Sequence, residues 1–183
     1  MDIGESLVGA YMREIRGCHS VAFNTHVTNQ AELDVIGVSN GSGGVCVWLA
    51  EVAVHLEGLN YGGYQRTASK VAQKIAAARS YADQVYPTAT RHFEFWSPVV
   101  PAGLVALLQQ IEVDLVINAA FTDRVNELAA SAAGHTRLTG DDAFRFLQLL
   151  GRLRGARPTF ATPEASSTHA AFTGIPGTST STA

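Results

Sequence analysis

The chain has 183 residues, of which 46% are hydrophobic and 16% charged, and its formal net charge is −3. These values predict one globular domain with its own core and exclude a chain that is disordered throughout. The net charge excludes a global attraction to nucleic acid, so any such binding needs a local basic patch. Two cysteines are too few for a disulfide framework, and we find no apolar leader and no run near the 20 residues of a membrane span. We therefore expect a cytoplasmic protein without a membrane partner.

The spacing of apolar residues predicts the elements in chain order. A helix is expected over 2–16, followed by strands at 20–27, 32–38 and 45–56, with a Gly- and Asn-rich hairpin loop at 39–44. A long helix at 65–85, a strand at 92–96, a helix at 101–110, a strand at 113–118 and helices at 122–133 and 141–153 follow. This order predicts an α/β domain over residues 1–155, with a central mixed sheet flanked by helices.

The C-terminal part of the chain differs from the rest in composition. Ser, Thr, Ala, Pro and Gly provide 22 of the last 28 residues, which predicts a disordered tail over 156–183. The helix at 141–153 has a broad apolar face. That face would cover the core, a partner protein or a second copy of the chain, and the sequence does not distinguish these.

Two strands carry an acidic residue inside an apolar run. Asp34 lies within 31–38 and Glu51 within 45–55. Removing a carboxylate from water costs free energy unless a cation or a metal compensates it. Two carboxylates on adjacent strands supply the oxygen ligands that Mg²⁺ or Mn²⁺ prefers. Salt bridges or exposed strand ends are the simpler alternative for each residue taken alone.

With this element order, the two acids resemble the PD-(D/E)XK, or restriction-endonuclease-like, nuclease superfamily over about residues 1–120. That core has the order α-β-β-β-α-β, an acid on its second strand and Glu-x-Lys on its third, often with another Glu on the first helix. The resemblance implies that Asp34 and Glu51 bind a metal and that Glu5 supports it. It also implies metal-dependent hydrolysis of phosphodiester bonds in DNA, since a bound metal activates water and neutralises phosphate charge.

The motif lysine is missing from the third strand. Ala53 stands at its position, and Leu33 replaces the motif proline. Lys70 and Lys74, the only lysines in the chain, both lie on the next helix. Lys74 falls roughly 60° from the centre of that helix's buried face, and Lys70 roughly 100°. With the third strand extending to 56, the returning helix reaches the level of Glu51 near position 76, which is closer to Lys74 than to Lys70. It is the better candidate, with Lys70 as the alternative.

Other residues have weaker arguments. Arg66, Lys70, Lys74 and Arg79 give the long helix a thin basic stripe that suits a phosphate backbone, although a solvated helix flank explains it equally well. His55 would share the strand face of Glu51 and is a candidate outer partner of the metal ligands. The missing motif lysine and the weak basicity leave a second hypothesis open. In it, the domain is catalytically inactive and serves nucleic-acid binding or protein assembly. A small-molecule α/β enzyme is a third class, but no cofactor fingerprint supports it.

Overall fold

The computed structural model describes residues 2–28, 31–136, 141–154 and Phe160. The elements in chain order are α1 (Ile3–Glu14), β1 (Ser20–Thr28), β2 (Ala31–Gly41), β3 (Gly44–Val52), α2 (Tyr64–Val85), β4 (Thr90–Ser97), α3 (Ala102–Leu108), β5 (Asp114–Ile117), α4 (Ala119–Gly134) and α5 (Asp142–Arg154). Their order and type agree with the sequence prediction, and most boundaries differ by only a few residues.

The five strands form one mixed sheet in the order β1-β2-β3-β4-β5. The first three strands are antiparallel neighbours, whereas β4 and β5 each run parallel to the strand before them. Each parallel connection carries a helix, as crossovers of this kind generally do. The predicted α/β class, with a mixed central sheet flanked by helices, is therefore confirmed.

Helices cover both faces of the sheet. One core cluster joins α1, α4 and α5 to Val35, Ala50 and Trp96 of the sheet, and another joins α2 and α3 to Ala53 and Phe95. Because neighbouring residues of a strand point to opposite faces, Glu51 shares the α2 side with Ala53. The face of β3 that carries Glu51 thus lies under α2.

Two predicted boundaries were wrong. The hairpin at 39–44 is tighter than expected, because Gly41 pairs with Gly44 and only two residues form the turn. Strand β3 ends at Val52 rather than at 56, and residues 53–63 form an irregular connection to α2. An apolar run does not show where strand pairing stops, since Ala53 and Leu59 are buried outside the strand.

Helix α5 covers the core and also leaves apolar surface exposed. Ala143, Phe144 and Leu147 are buried, whereas Phe146 and Leu149 are more than half exposed. The expected partner or second copy on this helix stays a prediction. Across the described residues, no helix has the length and apolar character to cross a bilayer.

A buried ion pair connects α1 to the sheet. Arg16, just after α1, donates to both carboxylate oxygens of Glu94 on β4, at 2.9 and 2.6 Å. Trp96 Nε1 also donates to Glu94, at 2.9 Å. Glu94 is 4% exposed, so these three hydrogen bonds compensate its desolvation.

Only one residue of the predicted C-terminal tail lies within the described residues. Phe160 packs against the core cluster under α1 and α4. Its backbone N–H donates to Asn126 Oδ1 at 2.7 Å, and its carbonyl accepts from Asn126 Nδ2 at 3.0 Å. The rest of the predicted tail, 156–159 and 161–183, lies outside the described residues.

We predict that Arg16→Ala lowers the free energy of unfolding by about 3 kcal/mol, because it leaves the Glu94 carboxylate buried without its cation. Arg91→Ala is the matched control, since Arg91 pairs with the exposed Asp83 and should change stability by less than about 0.5 kcal/mol. Urea unfolding of both variants measures the difference. Equal losses would contradict the assignment of Arg16–Glu94 as a structural pair.

Candidate active site

Asp34 and Glu51 lie side by side on neighbouring strands. Val35 pairs with Ala50 in the antiparallel ladder, and the two acids are the next residues outward on β2 and β3. Both are buried, with exposed fractions of 9% for Asp34 and 4% for Glu51. The backbone N–H of Val52 donates to Asp34 Oδ2 at 2.7 Å, which fixes the orientation of this carboxylate.

Lys74 reaches both carboxylates from α2. Its ammonium group donates to Glu51 Oε1 and lies 3.9 Å from Asp34 Oδ1. The buried residues Val71, Ile75 and Ala78 hold this part of the helix against the sheet. The lysine side chain remains 44% exposed, so the ammonium group lies at the edge of the buried carboxylates. Lys74, the lysine favoured by helical phase, therefore lies at the two acids.

Burial and mutual repulsion shift the acids toward their neutral forms. Burial, followed by the charge of Asp34, raises the pKa of Glu51 from its ordinary value of 4.5 to about 8. Burial also raises the pKa of Asp34, although the Val52 N–H and Lys74 oppose this shift. Burial alone would lower the pKa of Lys74, but the Glu51 carboxylate outweighs it and the pKa is raised. Lys74 therefore stays cationic at neutral pH.

Glu51 differs from the other buried strand acid, Glu94. Both oxygens of Glu94 accept hydrogen bonds, whereas Glu51 Oε2 is buried without a partner. Among the described residues, Ser97 Oγ is the other buried side-chain atom left in this state. Native proteins satisfy most buried polar atoms, and exceptions concentrate where another group binds. Glu51 is thus compensated less completely than Glu94, through Lys74 and a side-chain hydrogen bond with Asp34.

A cavity of about 250 Å³ lies beside this cluster. Its lining residues are Glu51, Ala53, Tyr61, Lys70, Val71, Lys74 and Phe95. Ala53 thus contributes a small apolar side chain to the wall at the position where the motif lysine would stand. The cavity has room for a phosphate-sized group and several waters, at about 30 Å³ per water.

Sequence reasoning missed Tyr61, which lines this cavity. It lies in the connection 53–63, where no helix or strand period marks a residue as inward-facing. The expected role of His55 beside Glu51 on β3 rested on a strand that ends at Val52. His55 instead lies in the connection, with Nε2 3.0 Å from Tyr61 Oη. The run of glycines around Tyr61 indicated an irregular loop but not its direction.

The remaining predicted site residues occupy different surroundings. Glu5 accepts from the backbone N–H of Asp2 in a capping box, and its charge still acts on the pKa of Asp34. Lys70 lies 4.8 Å from the Tyr61 ring centroid and faces the cavity. Arg66 lines a neighbouring surface depression, whereas Arg79 stacks on Phe93 and bonds Glu112. Arg79 is partly buried, whereas Arg66, Lys70 and Lys74 are exposed and form the accessible part of the stripe.

The donor atoms at this site suit a hard divalent cation. Asp34 and Glu51 present carboxylate oxygens of the kind that Mg²⁺ prefers, and Lys74 contacts both groups. The described residues contain no cluster of three His, Cys, Asp or Glu side chains that would hold a metal, and Glu5 does not form such a cluster with the pair. Mg²⁺ is commonly held by one or two carboxylates and several waters, and a two-acid site of this kind fits it.

No family model, curated protein or solved structure matches this chain. A functional assignment therefore depends on the geometry of Asp34, Glu51 and Lys74 and on chemical principles.

We predict that Glu51→Gln stabilises the fold, increasingly so as the pH rises. The pKa of Glu51 is about 8 in the folded state and near 4.5 unfolded, so the folded protein retains a proton that the unfolded chain has lost between these values. Wild-type stability should fall through this window, and the variant should avoid that loss. Near pH 9 the variant should be more stable by about 1 kcal/mol or more, measured by urea unfolding near pH 5 and pH 9.

Glu112→Gln is the control for this experiment, because Glu112 is 93% exposed and should show no pH-dependent gain. A wild-type protein that gains stability over Glu51→Gln as the pH rises would contradict the prediction. That result would mean that the Lys74–Glu51 bond more than compensates the burial of the carboxylate.

Proposed function

We propose that this protein is a metal-dependent nuclease of the PD-(D/E)XK type that hydrolyses phosphodiester bonds in DNA. The observation that carries the proposal is the convergence of the Lys74 ammonium on Asp34 and Glu51 from the helix after β3. Two acids and a lysine at one point are the chemical set that the superfamily uses. The sheet order, with β3 antiparallel to β2 and parallel to β4, supports the same core.

In this proposal each residue has a distinct role. Asp34 and Glu51 would hold Mg²⁺ or Mn²⁺, with the Val52 N–H keeping Asp34 in a fixed orientation. The metal supplies a lower pKa for water and neutralises charge on the phosphate. Lys74 donates hydrogen bonds from a compact ammonium, so it orients the attacking water and stabilises charge that develops on the phosphate oxygens. Glu5 would act through Asp34, on whose pKa its charge already acts.

The substrate would approach along the exposed side of α2. Arg66, Lys70 and Lys74 follow one another at intervals of four residues, which places them along one side of the helix. Cations in such a row neutralise backbone phosphates without reading base sequence. Three cations give weak binding in a chain whose net charge is −3. Because the salt dependence scales with the number of phosphates neutralised, we expect log K to fall with log[salt] with a slope of only about −3.

We predict that Asp34→Ala and Lys74→Ala each lower the DNA cleavage rate by about 100-fold or more, because each removes a group that acts on the reacting phosphate. The assay uses supercoiled plasmid and single-stranded DNA with Mg²⁺ or Mn²⁺, and EDTA should abolish the reaction. Lys70→Ala should have a smaller effect, since Lys70 contacts the Tyr61 ring rather than the carboxylates.

Glu32→Ala is the matched control for Asp34→Ala, because Glu32 lies on the same strand and is half-buried outside the cavity. It should retain wild-type cleavage. Cleavage that survives Asp34→Ala would show that a different site or a contaminant is responsible.

The alternative is a catalytically inactive domain that retains the carboxylates. Lys74 already donates to Glu51, and the described residues provide no third carboxylate beside the pair. This alternative predicts that wild-type protein binds DNA or a partner protein but does not cleave. It also predicts that Lys74→Ala weakens binding without any change in cleavage.

A further inference from the structure

The connection 53–63 holds Tyr61 in a fixed position. The Tyr61 N–H donates to Thr67 Oγ1 at 2.8 Å, and this hydroxyl donates to the Gly63 carbonyl at 2.9 Å. Asn60 Oδ1 accepts from the N–H groups of Gly62 and Gly63, at 3.1 and 2.7 Å. Both glycines have positive φ, +88° and +105°, a conformation that a side chain would strain. These contacts fix the backbone on both sides of Tyr61 at the start of α2.

The Tyr61 side chain is constrained on two sides. Lys70 Nζ lies over the ring at 4.8 Å from its centroid, and the His55 ring packs against it edge-on at 5.3 Å between centroids. His55 Nε2 is 3.0 Å from Tyr61 Oη. Burial raises the pKa of the hydroxyl; the charge of Lys74 opposes this shift, and the charges of Glu51 and Asp34 add to it. The hydroxyl therefore keeps its proton at neutral pH and remains a donor.

Resting on the proposed function, we propose that Tyr61 is a further residue of the site, whose hydroxyl donates to a non-bridging oxygen of the bound phosphodiester. His55 is its positioning residue. With the imidazole proton on Nε2, His55 donates to Tyr61 Oη, and the hydrogen of the hydroxyl is left to point into the cavity. Together with Lys74, which lines the same cavity, this gives the phosphate two donors that are in place before it binds.

The cavity supports this division of roles. Lys74 contacts the two carboxylates, whereas Tyr61 and Lys70 line the same cavity and contact each other. A phosphate that enters this cavity beside Glu51 would share it with the Tyr61 hydroxyl. An uncharged donor there stabilises the phosphate without competing with the metal for the carboxylates, as another cation would.

We predict that Tyr61→Phe weakens binding of diethyl phosphate, a small phosphodiester, by about tenfold in Mg²⁺ buffer, because it removes one hydrogen bond to a charged ligand. The phenyl ring keeps the contact with Lys70, so the fold is preserved. Tyr64→Phe, an exposed tyrosine three residues later that lines a different depression, is the control and should bind as wild type. Titrations followed by tyrosine-ring NMR shifts give the affinities.

His55 is tested by two variants in the same titration. His55→Ala should weaken binding, and His55→Gln should restore it, because the Gln amide can donate to Tyr61 Oη as Nε2–H does. On DNA, Tyr61→Phe should lower the single-turnover cleavage rate by about 10- to 100-fold.

The two readouts separate this inference from the proposed hydrolysis. Diethyl phosphate binding that depends on Tyr61, with no Asp34-dependent cleavage, would overturn the nuclease proposal and retain the Tyr61 contact. No binding to wild type, or equal binding by wild type and Tyr61→Phe, would overturn the role of Tyr61. If His55→Ala alone has no effect, the positioning role of His55 is wrong.

Discussion

The carboxylate of Glu51 is the constraint on which this part of the molecule depends. It lies under α2 on a central strand, next to a second acid, and one of its oxygens has no partner. Burial keeps this carboxyl largely protonated at neutral pH, and Lys74 supplies a counter-charge from the helix above when it ionises. The packing of Val71, Ile75 and Ala78 that fixes α2 on the sheet therefore also fixes the ammonium group at the two acids. The same packing contacts therefore determine both the core and the geometry of the site.

Buried carboxylates are compensated differently on the two faces of the sheet. Under α1, Arg16 and Trp96 satisfy Glu94 fully, so that pair connects helix and sheet and has no capacity left for a ligand. Under α2, two acids face one ammonium group, and their pKa values are raised. Perturbed groups that line a cavity are typical of functional sites, whereas compensated pairs are typical of structural ones. This contrast supports a functional role for Asp34, Glu51 and Lys74 without reference to any relative.

The sequence predicted the elements and the three charged residues because these depend on local rules. Acids inside apolar runs identified Asp34 and Glu51, and helical phase favoured Lys74 over Lys70. The height argument assumed a strand reaching 56. Because β3 ends at Val52, the irregular connection 53–63, and not a longer strand, sets the level at which Lys74 meets Glu51. The rule that found Asp34 also applies to Glu94, which lies between Phe93 and Phe95. It could not identify the partner of Glu94, because Arg16 lies outside any strand pattern. Tyr61 and His55 could not be placed, because loop direction depends on tertiary contacts.

The contact between Asn126 and Phe160 has a practical consequence for any shortened form of the protein. A boundary at residue 155 follows naturally from composition, yet it would delete the aromatic ring that packs under α1 and α4 and the two backbone partners of the Asn126 amide. The trimmed domain would expose an apolar recess on its surface, and such recesses promote self-association. A boundary beyond Phe160 preserves this surface.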